Sequence, residues 1–207
     1  MEVEIKINDE GIKGILEVPK EAKGIVIFSH GSGSGRLSPR NNFVAKVLQK
    51  AGIATLLIDL LTPEEELDRR NVFDIPLLTE RLKLATEFIQ KKPLTKKFAI
   101  GYFGASTGAA SALRASAALG SQIKAVVSRG GRPDMAMEDL PQVKSPTLLI
   151  VGSLDDVVIG LNREAYEKLN CEKELKIIPG ASHLFEEPGK LEEVANLAAE
   201  WFLKYLG

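Results

Sequence analysis

Short, continuously apolar runs recur along this chain, and stretches with helical spacing separate them. The runs cover residues 24–28, 53–58, 98–102, 123–127 and 147–151, with a shorter one at 175–178. The helical patterns fall at about 41–49, 77–89, 109–119 and 161–169. A strand that is apolar at every position must be covered on both faces. Strand–helix alternation provides that cover by laying crossover helices on both faces of a mostly parallel sheet. The opening residues differ. Residues 3–7 and 12–18 alternate apolar with charged or small residues, and Asn8-Asp9-Glu10-Gly11 between them reads as a turn. That pattern predicts an N-terminal antiparallel hairpin at one edge of the sheet. A last helix carries Val194, Leu197, Ala198, Trp201 and Tyr205 on one stripe, which buries one face against the sheet.

The fold class is therefore α/β, and a chain of 207 residues reads as one domain over 1–207. The longest connections, 61–73 and 130–145, are too short for a separate cap domain. Lys+Arg is 27 and Asp+Glu is 28, so the basic excess of a general nucleic-acid binder is missing. No run approaches the roughly 20 apolar residues of a membrane span, and the start is not a signal peptide. The expectation is a cytoplasmic protein without membrane contacts; no oligomeric state is implied. Cys171 is the one cysteine, and His30 and His183 are the two histidines. A multi-cysteine or histidine-rich metal centre is thus not expected.

The sharpest motif is Gly104-Ala105-Ser106-Thr107-Gly108, between an apolar strand and an Ala-rich helix. In that setting G-x-S-x-G marks a nucleophile on a sharp strand-to-helix turn, where the glycines remove side chains that would collide. A serine hydroxyl needs a base, and the base needs an orienting carboxylate. His183 follows the last strand in Gly180-Ala181-Ser182-His183. Asp155 and Asp156 follow the preceding strand in Gly152-Ser153-Leu154-Asp155-Asp156. Asp155 is favoured by its position in the loop, and Asp156 suits the start of the next helix. The order Ser106, Asp155, His183 is that of the α/β-hydrolases and of neither main serine-protease fold. Ser29-His30-Gly31-Ser32-Gly33 follows the first inner strand. Its Ser32 amide, with that of Thr107, is the expected oxyanion hole, while His30 braces the loop. A dinucleotide-binding unit is the rival for this loop. Its third glycine would fall on Arg36 or Ser38, so the pattern fails.

With these blocks in place, and with Ser128-Arg129-Gly130-Gly131-Arg132-Pro133 beside them, the chain resembles the dienelactone hydrolase-like α/β-hydrolases over nearly its whole length. The resemblance implies an α/β-hydrolase fold and carboxylic-ester hydrolysis without a cofactor. It does not imply dienelactone as substrate, because dienelactone hydrolases proper use cysteine where this chain has Ser106. Some relatives are fused to a phosphoribosyltransferase domain, and this sequence shows none. The expected partner is a small ester, reached through an open, shallow site. Acyl transfer, thioester cleavage and ligand binding on an idle triad remain alternatives.

Four of the nine arginines, Arg36, Arg40, Arg129 and Arg132, fall in two loops after strand ends, and no lysine lies in 31–40 or 128–134. Arginine suits planar recognition of carboxylate or phosphate. These four are candidates for an anion-tolerant rim, with pairing to Asp59 or Asp134 as the structural alternative. Phe103, Phe185, Met135 and Met137 are candidates either for an apolar pocket or for the core.

Overall fold

In the computed structural model, which describes residues 1–7 and 10–207, the apolar runs are the inner strands of one eight-stranded sheet. The chain order is β1 (Glu2–Ile7), β2 (Glu10–Glu17), β3 (Gly24–Ser29), α1 (Pro39–Lys50), β4 (Ala54–Ile58), α2 (Pro63–Glu66), α3 (Ile75–Lys91), β5 (Ala99–Ala105), α4 (Thr107–Leu119), β6 (Ile123–Arg129), β7 (Thr147–Gly152), α5 (Asp156–Lys168), β8 (Lys173–Ile178) and α6 (Lys190–Leu206). The strands lie in the order β1-β2-β4-β3-β5-β6-β7-β8. β1 and β2 pair antiparallel, and β2 runs antiparallel to β4; every other pairing is parallel. The expected edge hairpin is therefore present. The turn assigned to Asn8-Asp9-Glu10-Gly11 falls, at Asn8 and Asp9, outside the described residues.

Two apolar layers hold the sheet. Helices α1 and α6 bury Val44, Leu48, Val194, Ala198, Trp201 and Phe202 against one face. Helices α3, α4 and α5 bury Leu78, Leu82, Ile89, Leu113 and Ala165 against the other. β3, β4 and β7 are buried at every position, as continuous apolar runs require. β8 is different. Its run extends back to Lys173 and alternates exposed with part-buried residues, because an edge strand is only half covered. Phe103 and Phe185 belong to the core layer of α1 and α6, and Met135 and Met137 pack against the opposite layer. None of the four lines a pocket with Ser106.

Other differences cluster at strand ends. β5 continues past residue 102, since Gly104 and Ala105 still pair with Ser128 and Arg129 of β6. α5 begins at Asp156, five residues before its apolar periodicity becomes visible. The short α2 is set by a capping box, with Thr62 and Glu65 each accepting from the other's backbone N–H.

The tightest backbone packing lies where α4 leaves β5. A Cβ on Gly104 would sit 2.4 Å from the Ala109 Cα, and one on Gly108 would sit 2.2 Å from the Ser29 carbonyl oxygen. Both obstacles are main chain and cannot rotate away. Gly108→Ala should therefore cost about 1–3 kcal/mol, as overpacking does elsewhere. Urea denaturation would read this as a lower midpoint; an unchanged midpoint would mean that α4 can shift without loss.

Candidate active site

Ser106 sits between β5 and α4 with φ 51° and ψ −123°. A non-glycine residue at positive φ is strained and persists only where its surroundings hold it. Here three backbone bonds do so. The Ser106 N–H donates to the Arg129 carbonyl at 3.2 Å, and the Ser106 carbonyl accepts from the Ala109 and Arg132 amides, each at 3.0 Å. Ser106 is also the N-cap residue of α4, yet its hydroxyl makes no capping bond. The hydroxyl is thus not consumed by the helix it precedes.

His183 and Asp155 meet beside it. The His183 Nδ1 lies 2.6 Å from Asp155 Oδ2. Asp155 is the N-cap residue of α5 and, like Ser106, caps nothing with its side chain. Asp156 is the first residue of α5, in the acidic first turn. The two loops are stitched together. Leu154 N–H donates to the Ala181 carbonyl at 3.0 Å, and Gly180 N–H donates to Ser153 Oγ at 2.8 Å. Past the histidine, Phe185 is buried at φ 57°, and Ser182 N–H donates to Glu187 Oε2. Its hydrogen bond from Ser182 holds the Glu187 carboxyl below its ordinary range. Ser106 and His183 line one cavity of about 230 Å³. Among the described residues, no hydrogen bond joins the Ser106 hydroxyl to the His183 ring.

The expected oxyanion loop lies across this cavity and differs in one respect. The Ser32 amide is not free: it donates to Thr107 Oγ1 at 3.0 Å. A part-buried N–H needs an acceptor, and the hydroxyl at the first position of α4 supplies one. His30 is a brace. The Leu60 N–H donates to its Nε2 at 3.0 Å, so the ring proton is on Nδ1, which donates to the Gly31 carbonyl at 2.9 Å. Burial pushes the His30 pKa below its ordinary value.

The four loop arginines separate into two pairs. Arg36 is bound to Asp59 through its guanidinium and its amide, and it lies outside the Ser106 cavity. Arg132 makes a two-point pair with Asp134 at 2.9 and 2.8 Å and is also outside it. Arg40 and Arg129 line the cavity. Arg36 and Arg132 are taken because their acids lie within reach: Asp134 two residues on from Arg132, and Asp59 just after β4, the neighbour of β3.

The sequence profile of the dienelactone hydrolase family matches residues 12–206. The chain belongs to the dienelactone hydrolase family. A crystal structure of dienelactone hydrolase from Anabaena variabilis is 55% identical, with a TM-score of 0.97, over 100% of this chain and 98% of that one. Est1E from Butyrivibrio proteoclasticus has a TM-score of 0.81 over 98% of both chains at 16% identity, a likeness of fold alone. A Mycobacterium tuberculosis protein provisionally called a phosphoribosyl transferase is 53% identical over 205 residues. These are 99% of this chain but 46% of that protein, so the chain spans about half the length of the curated relatives it matches. Family membership and the structural likeness give this chain the α/β-hydrolase fold. No helix is long and apolar enough to cross a membrane.

The buried His30 generates a pH prediction. Its folded pKa is lowered from 6.5, so below that value the unfolded chain binds the proton more readily. Stability contributed by neutral His30 is present above pH 6.5 and is lost as pH falls toward the folded pKa. Thermal midpoints measured from pH 7 to pH 5 should fall more steeply in the wild type than in His30→Asn. Parallel curves would show that the ring is not held neutral.

Proposed function

We propose that this protein hydrolyses small carboxylic esters through an acyl-enzyme on Ser106. The observation that carries this reading is the 2.6 Å contact between His183 and Asp155 beside a serine held at positive φ with an uncommitted hydroxyl. In this reading the ionised Asp155 accepts the Nδ1 proton of His183, which leaves the Nε2 lone pair as the base. His183 turns to take the Ser106 proton as the hydroxyl attacks the acyl carbon, and returns it to the leaving alcohol. Hydrogen bonds at a catalytic site commonly tighten only when substrate is present. Water, deprotonated by the same ring, then releases the acid. This chemistry needs no cofactor.

The tetrahedral oxyanion is stabilised by the amides of Ser32 and Thr107. The Ser32 amide exchanges the neutral Thr107 hydroxyl for an anion, and hydrogen bonds to charged acceptors are roughly twice as strong as neutral ones. One such donor is worth about 3–4 kcal/mol of barrier where it has been measured. The phosphoribosyl transferase name of the mycobacterial relatives does not pass to this chain. The 205 residues aligned with them take in nearly all that the hydrolase profile covers, residues 12–206.

A fluorophosphonate probe tests the reading without a known substrate. Intact mass should show one adduct, mapped to Ser106, lost in Ser106→Ala and formed much more slowly in His183→Ala. Asp155→Asn should lower kcat on p-nitrophenyl butyrate by about 10⁴-fold, the loss that the same change gives in a serine protease. No adduct under conditions that label a control hydrolase would overturn the reading. Added alcohols or thiols that divert most of the acyl group would shift it to acyl transfer.

A further inference from the structure

Asn162 is fully buried in the second turn of α5. Its Nδ2 donates to the Gly131 carbonyl at 3.0 Å and to the Val158 carbonyl, one turn back in α5, at 2.8 Å. These two acceptors set the orientation of the amide, because the flipped amide would place its oxygen against both carbonyls. Among the described residues its buried Oδ1 has no hydrogen-bond partner. An orphaned buried acceptor is destabilising, and a leucine of similar size would carry none. What the asparagine adds at this place is its hold on Gly131.

Gly131 is the middle of the turn Gly130-Gly131-Arg132 that follows β6, and both ends of that turn meet the candidate site. A Cβ on Gly130, which stands at φ 51°, would lie 3.4 Å from both Nδ1 and Cε1 of His183 and 3.2 Å from its carbonyl oxygen. The bare Gly130 main chain therefore backs the edge of the ring that faces Asp155. At the other end, the Arg132 N–H donates to the Ser106 carbonyl at 3.0 Å. Two glycines in succession leave a main chain with wide conformational freedom. Two bonds confine it: the Gly130 N–H donates to the Ile150 carbonyl at 2.8 Å, and Asn162 holds the carbonyl of Gly131.

The same helix carries the carboxylate. Asp155 is the N-cap residue of α5, and Asn162 lies seven positions on, two turns along the same face. One element thus presents the acceptor of the His183 Nδ1 proton at its start and, through Asn162, holds the turn behind the ring. We propose that Asn162 is a positioning residue: by tying the Gly131 carbonyl to α5, it keeps the Gly130 main chain against His183 and the ring aligned between Asp155 and Ser106. Its catalytic consequence rests on the ester-hydrolase reading; the alignment of the ring does not. Asn162 touches no reacting atom and acts through His183.

Asn162→Leu keeps the bulk and removes both bonds. Per active site titrated with the fluorophosphonate, its kcat on p-nitrophenyl butyrate should fall at least tenfold with KM within about twofold, since a misplacement of about 1 Å can cost about 10²-fold in rate. Thr95→Val, which deletes a buried bond to the Ile89 carbonyl at the end of α3, should lower the melting temperature and leave kcat unchanged. Should Asn162→Leu fail to fold, Asn162→Ser is read in its place; its hydroxyl can keep the bond to Val158 and cannot reach Gly131. The rate of Ser106 labelling completes a double-mutant cycle. Asn162→Leu should slow labelling in the wild type and add nothing in His183→Ala. Equal slowing in both backgrounds overturns the proposal, because the residue would then act through the fold and not through the ring.

The ring is also read without any reaction. The chain has two histidines, and His183→Ala assigns their signals. Long-range proton–nitrogen NMR should report an Nδ1–H tautomer for His183 in the wild type and a mixture with the Nε2–H form in Asn162→Leu. That change, in a protein that neither takes the label nor hydrolyses any ester, supports the positioning and defeats the ester reading. Ester hydrolysis with kcat and tautomer both unchanged in Asn162→Leu defeats the positioning alone.

Discussion

The contact on which the rest depends is main chain against main chain. α4 can leave β5 at Ser106 only because Gly104 and Gly108 present no Cβ to the Ala109 backbone and the Ser29 carbonyl. That approach forces Ser106 to positive φ and points the chain sharply away from the sheet. The strain is held by bonds to the loop after β6: Arg129 accepts the Ser106 amide, and Arg132 donates to its carbonyl. The same bonds bring Arg129 beside Ser106. The elbow and the cationic cavity are therefore one construction, because the loop that braces the strained serine carries the guanidinium.

The second support is the pairing of the β7 and β8 loops. β7 and β8 are parallel neighbours, so their C-terminal loops emerge side by side. The Leu154–Ala181 and Ser153–Gly180 bonds then fix Asp155 relative to His183. Both Asp155 and Ser106 occupy N-cap positions without capping their helices. Asp and Ser are usually favoured there because they cap. At these two ends the fold forgoes that local stabilisation; the Ser106 hydroxyl stays open to the cavity and the Asp155 carboxylate to His183.

Much of this was legible in sequence because it rests on local pattern. Continuous apolar runs define inner strands, and G-x-S-x-G between an apolar strand and an Ala-rich helix marks the sharp turn at Ser106. The chain order of Ser106, Asp155 and His183 selects the topology whose strand ends converge. What the sequence left open was which arginines the acids take. Pairing to Asp59 or Asp134 was already the alternative, and the fold decides it: Asp134 holds Arg132 from two residues on, and Asp59 reaches Arg36 across 23 positions. Arg40 and Arg129 lie 89 positions apart and look no different from the other two as letters. The edge position of β8 and the early start of α5 were hidden for the same reason: burial, not propensity, decides both.

The Thr107 hydroxyl bears on how the proposed oxyanion hole would hold its donors ready. An oxyanion hole must keep N–H groups pointed at a place where charge appears only briefly, and a part-buried N–H without an acceptor is costly. The Ser32 amide resolves this by donating to Thr107 Oγ1, on the residue directly after Ser106. Below the loop, His30 ties Gly31 to Leu60 through both ring nitrogens, so the loop cannot relax by turning the amide elsewhere. The hydroxyl is a neutral stand-in, strong enough to hold the Ser32 amide in place and weaker than the charged oxygen that would replace it. In the proposed hydrolysis, preorganisation would come from exchanging this hydrogen bond for one to the oxyanion, and the neutral, buried imidazole of His30 fixes the backbone on which that exchange would take place.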